Sequence, residues 1–148
     1  MYEIHTSIDI NAPLERVWRI LSNTQDYPQW NPFIREVTGK LAVGQQLVVN
    51  IHPPGSHSMR FKPRVLVLEP QQELRWLGKL LFSGIFDGEH YFKLQALNAQ
   101  QTRFLHGESF KGLLIPLLKK SLEKDTKAGF AAMNAALKAR AEDASFAS

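Results

Sequence analysis

Residues 113–140 read LLIPLLKKSLEKDTKAGFAAMNAALKAR, and the reading of this run decides the fold. At 100° per residue, Ile115, Leu118, Leu122, Gly129, Met133, Ala136 and Leu137 fall on one side of a helical wheel. Lys120, Glu123, Lys124, Lys127, Asn134 and Lys138 fall on the other. The spacing predicts one amphipathic helix roughly 40 Å long, at about 1.5 Å per residue. Pro116 fits if that helix starts at about Ile115, because a proline is tolerated only in a first turn. Nearly everything before the helix reads as strand or turn, so its apolar face must lie against a sheet.

Working outward, residues 2–10 alternate with period two, placing Tyr2, Ile4, Thr6, Ile8 and Ile10 on one face of a half-buried strand. Asn11-Ala12-Pro13 ends it and opens a short helix carrying Leu14, Val17, Trp18 and Leu21. A second short helical turn follows around residues 25–27. Further strands are expected at residues 33–38, 46–51, 59–68, 73–80, 86–94 and 102–110. Pro63 argues that the strand over 59–68 is an edge or carries a bulge. Residues 81–84 show no pattern and read as a loop, and the tail from Glu142 is expected to fray. Short turns between successive strands favour antiparallel pairing. The expected architecture is α+β: a curved seven-stranded antiparallel sheet gripping the C-terminal helix, with two short helices after the first strand, in one domain spanning 1–148.

Composition excludes several classes of function. Hydrophobic residues make up 44% and charged residues 22% of the 148, which are ordinary globular values. There is no cysteine, hence no disulfide, thiolate metal site or cysteine nucleophile. No apolar run is long enough to span a membrane, and the start carries no secretory signal, which suits a cytoplasmic protein. The net charge of +4 is modest, and the lysines at 119, 120, 124 and 127 form a solvated helix face rather than a nucleic-acid footprint. The five histidines lack H-x-x-x-H spacing, so no metal site is expected. Without a Gly-rich phosphate loop, a G-x-S-x-G elbow or a Rossmann fingerprint, no cofactor is implied.

Several segments carry a resemblance. They are Ile8-Asp9-Ile10-Asn11-Ala12-Pro13 with Val17-Trp18, Tyr27-Pro28-Gln29-Trp30-Asn31-Pro32-Phe33, Leu74-Arg75-Trp76, Phe86-Asp87-Gly88-Glu89-His90, Thr102-Arg103-Phe104 and the C-terminal helix. Over residues 1–141 the chain resembles the START-like, Bet v 1-like (SRPBCC) superfamily, in its bacterial polyketide cyclase/dehydrase branch. The resemblance implies a helix-grip fold with an elongated apolar cavity between sheet and helix. Members of the superfamily differ widely in function, and no family catalytic motif maps onto this chain.

The candidate cavity residues are Trp30, Phe33, Phe61, Trp76, His90, Phe92, Phe104, His106, Glu108, Leu122, Gly129 and Met133. A hairpin closed near Asn98 would set Leu94 opposite Thr102, Phe92 opposite Phe104, His90 opposite His106 and Gly88 opposite Glu108. Two imidazoles and a carboxylate would then share one inward face. They form an internal hydrogen-bond network, a polar anchor for a ligand, or an acid–base pair. Gly129 either admits a bulky sheet residue such as Trp76 or leaves room for a ligand. The expected function is binding of a hydrophobic small molecule: a lipid, isoprenoid, quinone or aromatic polyketide. The alternatives are a cyclase or dehydratase using His90, His106 or Glu108, and a protein-interaction module. The sequence leaves the oligomeric state open.

Overall fold

A computed structural model describes residues 1–80 and 84–146. Residues 81–83, most of the stretch read as a loop, lie outside the described residues. The elements run β1 (Tyr2–Ile10), α1 (Leu14–Ser22), a 3₁₀ turn (Thr24–Asp26), α2 (Tyr27–Trp30), β2 (Ile34–Thr38), β3 (Val48–Ile51), β4 (Met59–Phe61), β5 (Arg64–Glu69), β6 (Glu73–Leu80), β7 (Phe86–Asn98) and β8 (Gln101–Lys111). The C-terminal helix is α3 (Ile115–Ser121), a π-helical turn (Leu122–Thr126) and α4 (Lys127–Glu142). A 3₁₀ turn at Ala144–Phe146 follows, where the tail was expected to fray.

The fold is the expected α+β helix-grip arrangement, but with eight strands in two antiparallel sheets rather than seven in one. A five-stranded sheet has the order β1-β8-β7-β6-β5, and a three-stranded sheet the order β2-β3-β4. Pro63 accounts for the difference. The single strand expected over 59–68 breaks there, because proline has no N–H to give a ladder. Its carbonyl instead accepts from the Leu47 amide, while Gly44 and Gln45 bond to Val65. The chain thus passes from one sheet to the other at this proline, and the two sheets meet as a bent wall.

The long helix also departs from its wheel. A π turn takes one more residue than an α turn, so faces before and after it are offset by about one residue. Beyond Thr126, the residues Gly129, Met133 and Leu137 are buried as the constant 100° wheel expects, but the buried face is rotated relative to that wheel. Phe130 and Asn134 point inward and are buried, although the wheel placed Asn134 on the solvent side and left Phe130 off the apolar stripe. Ala136 turns partly outward. α4 lies across β1 and β8, with α1 against its other flank.

The hairpin of β7 and β8 is displaced by two residues from the expected register. Leu94 lies opposite Phe104, Phe92 opposite His106, His90 opposite Glu108 and Gly88 opposite Phe110. The turn is tighter than the one assumed: β7 runs on to Asn98, which pairs with Gln101. A shift of two preserves which face each side chain occupies, since the side-chain period is two.

Candidate functional site

The wall contains a gap. Gly78 on β6 lies directly opposite Gly88 on β7, so two adjacent strands present bare backbone at one place on the inward face. Above this patch is a partly open hollow of about 70 Å³. Trp76, Phe86 and Phe110 flank it on the large sheet, Val49, Ile51 and Phe61 on the small one, and Leu122 and Thr126 close it from the helix. Those last two residues begin and end the π turn. The irregular turn is therefore the part of the helix that faces the hollow.

At the polar end stand His90 and Glu108, directly opposite on β7 and β8. His90 Nδ1 lies 3.3 Å from Glu108 Oε1. Gly88 makes room for this carboxyl group: a Cβ there would collide with Glu108 Oε2. His90 Nε2 is 2.7 Å from His106 Nε2, and His106 Nδ1 is 2.8 Å from Asn134 Oδ1 on α4. Asn134 Nδ2 donates to Thr6 Oγ1 at 2.9 Å, and the Thr6 hydroxyl donates to the His106 carbonyl at 2.8 Å. Phe130 stacks on His106 with centroids 4.1 Å apart and meets His90 edge-on. It seals the imidazoles from the helix side.

Burial sets the charge of this cluster. Desolvation pushes His90 down to about 3. The same burial, with His90 alongside, holds His106 well below the usual imidazole range. Desolvation pushes the Glu108 carboxyl up to about 8. At neutral pH the ground state is therefore two neutral imidazoles and a protonated acid. Although His90 and Glu108 lie within ion-pair distance, burial favours the uncharged pairing. Among the described residues no group of three His, Asp or Glu side chains is arranged to hold a metal ion.

Of the sequence-derived candidates, Phe33, Phe61, Trp76, His90, Glu108 and Leu122 border the hollow. Phe92, Phe104 and Met133 are fully buried packing beside it, with the two phenylalanines stacked at 6.0 Å. His106 sits one step behind His90 in the hydrogen-bond chain. Gly129 admits a bulky ring, but the ring is that of Phe33 rather than Trp76: a Cβ at Gly129 would run into it. Trp30 lies elsewhere. It meets Tyr27 edge-on at 5.2 Å and lines a polar surface cleft with Arg16, Arg19 and Arg140. Tyr27 takes the buried position of that one-turn helix, its hydroxyl donating to the Leu21 carbonyl, which leaves Trp30 on the outer side. Sequence reasoning missed Asn134 and Thr6, the anchors of the chain, and the pairing of Gly78 with Gly88.

A family described as polyketide cyclase / dehydrase and lipid transport matches residues 1–142. The chain belongs to this family. Among solved structures it resembles an aromatase/cyclase from Streptomyces sp. R1128, with a TM-score of 0.78 and 17% identity over 95% of this chain and 93% of that one. A START superfamily protein from Mycobacterium smegmatis gives 0.72 and 23% over 96% and 98%. Norcoclaurine synthase from Thalictrum flavum, solved with dopamine and hydroxybenzaldehyde, gives 0.71 and 14% over 93% and 84%. These likenesses show the helix-grip fold. A comparison with curated proteins finds no match. Among the described residues no helix is long and apolar enough to cross a membrane.

Proposed function

We propose that the chain is one ligand-binding domain that carries or senses a hydrophobic small molecule in the hollow between the bent wall and the π turn. The observation that carries this is a partly open, aromatic-lined hollow with two polar groups converging at one end, the usual composition of a small-molecule site. A lipid, isoprenoid, quinone or aromatic polyketide-like compound has the required chemistry. At about 70 Å³ the hollow is well below the roughly 300–1,000 Å³ of ligand pockets. It is about half the size of the roughly 150 Å³ cavity that holds one benzene ring, so it takes one end of a ligand whose remainder projects through its open side, between the two sheets and the helix. Native mass spectrometry after incubation with a mixture of apolar compounds tests the reading. Retention of a compound that Gly78→Val abolishes is expected; failure to retain any of them counts against it.

A second reading, acid–base catalysis by a cyclase or dehydratase, is favoured by one feature: a protonated carboxyl group backed by neutral imidazoles on the wall of the hollow. Solvent deuterium uptake at the carbon between the carbonyls of 1-phenylbutane-1,3-dione tests it. Uptake faster than in buffer, and lost in Glu108→Leu, would move the reading from carrier to enzyme.

A further inference from the structure

The hydrogen bonds behind Glu108 run in one direction. The Thr6 hydroxyl proton goes to the His106 carbonyl, so Thr6 Oγ1 can only accept from Asn134. That fixes the Asn134 amide, turning Oδ1 toward His106 Nδ1, which must carry the proton. His106 Nε2 is then a bare acceptor, and His90 Nε2 must carry the proton between the two rings. His90 Nδ1 is thereby left bare and faces Glu108 Oε1 at 3.3 Å, and the protonated acid satisfies it only with its proton on Oε1, aimed at that nitrogen. Glu108 Oε2 is then left without a proton. Oε2 stands over Gly88 on the cavity wall, and among the described residues no hydrogen bond reaches it.

From this we infer that the hollow is selective for a neutral ligand bearing a hydroxyl group, a phenol or enol, which donates to Glu108 Oε2. Asn134 is the positioning residue that sets this polarity from three groups away. A methyl ether or ketone of the same shape brings only lone pairs to an acceptor and leaves both sides unpaired. A carboxylate meets the same mismatch with a charge added. An ammonium group would suit an ionised Glu108, which burial disfavours. The inference rests on the proposal that the hollow is a ligand site.

The test titrates the intact chain with 4-ethylphenol, 4-ethylanisole and 4-ethylbenzylamine, following the Gly78 and Gly88 amides by NMR. The phenol is expected to bind about tenfold tighter than its methyl ether, the worth of one buried hydrogen bond. Glu108→Gln keeps the geometry, its amide N–H toward His90 and its carbonyl toward the ligand, and should retain the preference. Glu108→Leu should lose it. Equal binding of phenol and ether overturns the inference while leaving the ligand site standing. Binding of none of the three overturns both. Tightest binding of the amine overturns it by marking an ionised acceptor. Independently of any ligand, ¹⁵N imidazole shifts at pH 7 should give His106 as the Nδ1–H tautomer and His90 as the Nε2–H tautomer. The opposite assignment overturns the inference. Asn134→Leu should remove the His106 preference for Nδ1–H.

Discussion

His90, His106 and Glu108 make stability depend on pH in a way the surface ion pairs do not. The histidines titrate lower folded than unfolded, so the stability they supply is complete above about 6.5 and is lost as pH falls toward about 3 for His90. Glu108 titrates higher folded than unfolded, so its stability is complete below 4.5 and is lost as pH rises through about 8. Each group contributes a slope of about 1.4 kcal/mol per pH unit inside its window. Between 4.5 and 6.5 two imidazoles outweigh one carboxyl group. The urea-unfolding free energy should therefore peak near pH 6.5 and fall by about 1–2 kcal/mol at pH 8. Glu108→Gln should flatten the fall above the peak and steepen the rise between 4.5 and 6.5, where its carboxyl group no longer opposes the imidazoles; an unchanged alkaline limb would show that Glu108 is already ionised. The alternation in β7 and β8 told which face these residues occupy. It could not say that His106 bonds to a helix residue, because Asn134 reaches it from 28 positions along the chain.

The C-terminal helix is an element whose two halves do different jobs, and the π turn separates them. Its sequence is legible as a helix, but local spacing does not mark where one extra residue enters a turn; the packing of Phe130 and Asn134 shows it. Deleting Lys124, an exposed residue of that turn, should leave far-UV circular dichroism close to the parent. It should also swing Leu122 and Thr126 off the hollow, and 4-ethylphenol affinity should drop by about tenfold or more. Gly129→Ala is a second element-level test. In an ordinary helix interior the change gains about 1 kcal/mol. Here the new methyl meets the Phe33 ring, which is itself held edge-on by Phe130 at 5.6 Å. Overpacking should reverse the sign and cost about 1–3 kcal/mol by urea denaturation. A stabilised variant would mean that Phe33 moves aside freely.

For the molecule as a whole, the hollow depends on two glycines that meet across neighbouring strands: Gly78 leaves the space above β6 open, and Gly88 makes room for the Glu108 carboxyl group at its edge. A Cβ at Gly78 would meet only ordinary contacts, 3.8 Å from Pro63 Cβ and 4.0 Å from the Gly88 carbonyl oxygen. Gly78→Val should accordingly fill the space, leave the thermal midpoint within about 5 °C of the parent and remove ligand retention. A large loss of stability instead would show that β6 cannot accept the branch. The sequence by itself determined which segments are strands, the long terminal helix, the antiparallel pairing and the inward faces of β7 and β8. These follow from periods of 2 and 3.6 and from the positions of Pro and Gly, all of which act between near neighbours in the chain. It did not determine the break at Pro63, the two-residue displacement of the hairpin, the offset along the helix, or the meeting of Gly78 with Gly88. Only the tertiary structure decided these. Each depends on which distant backbone supplies a partner, and a repeating pattern is the same after a shift of one full period.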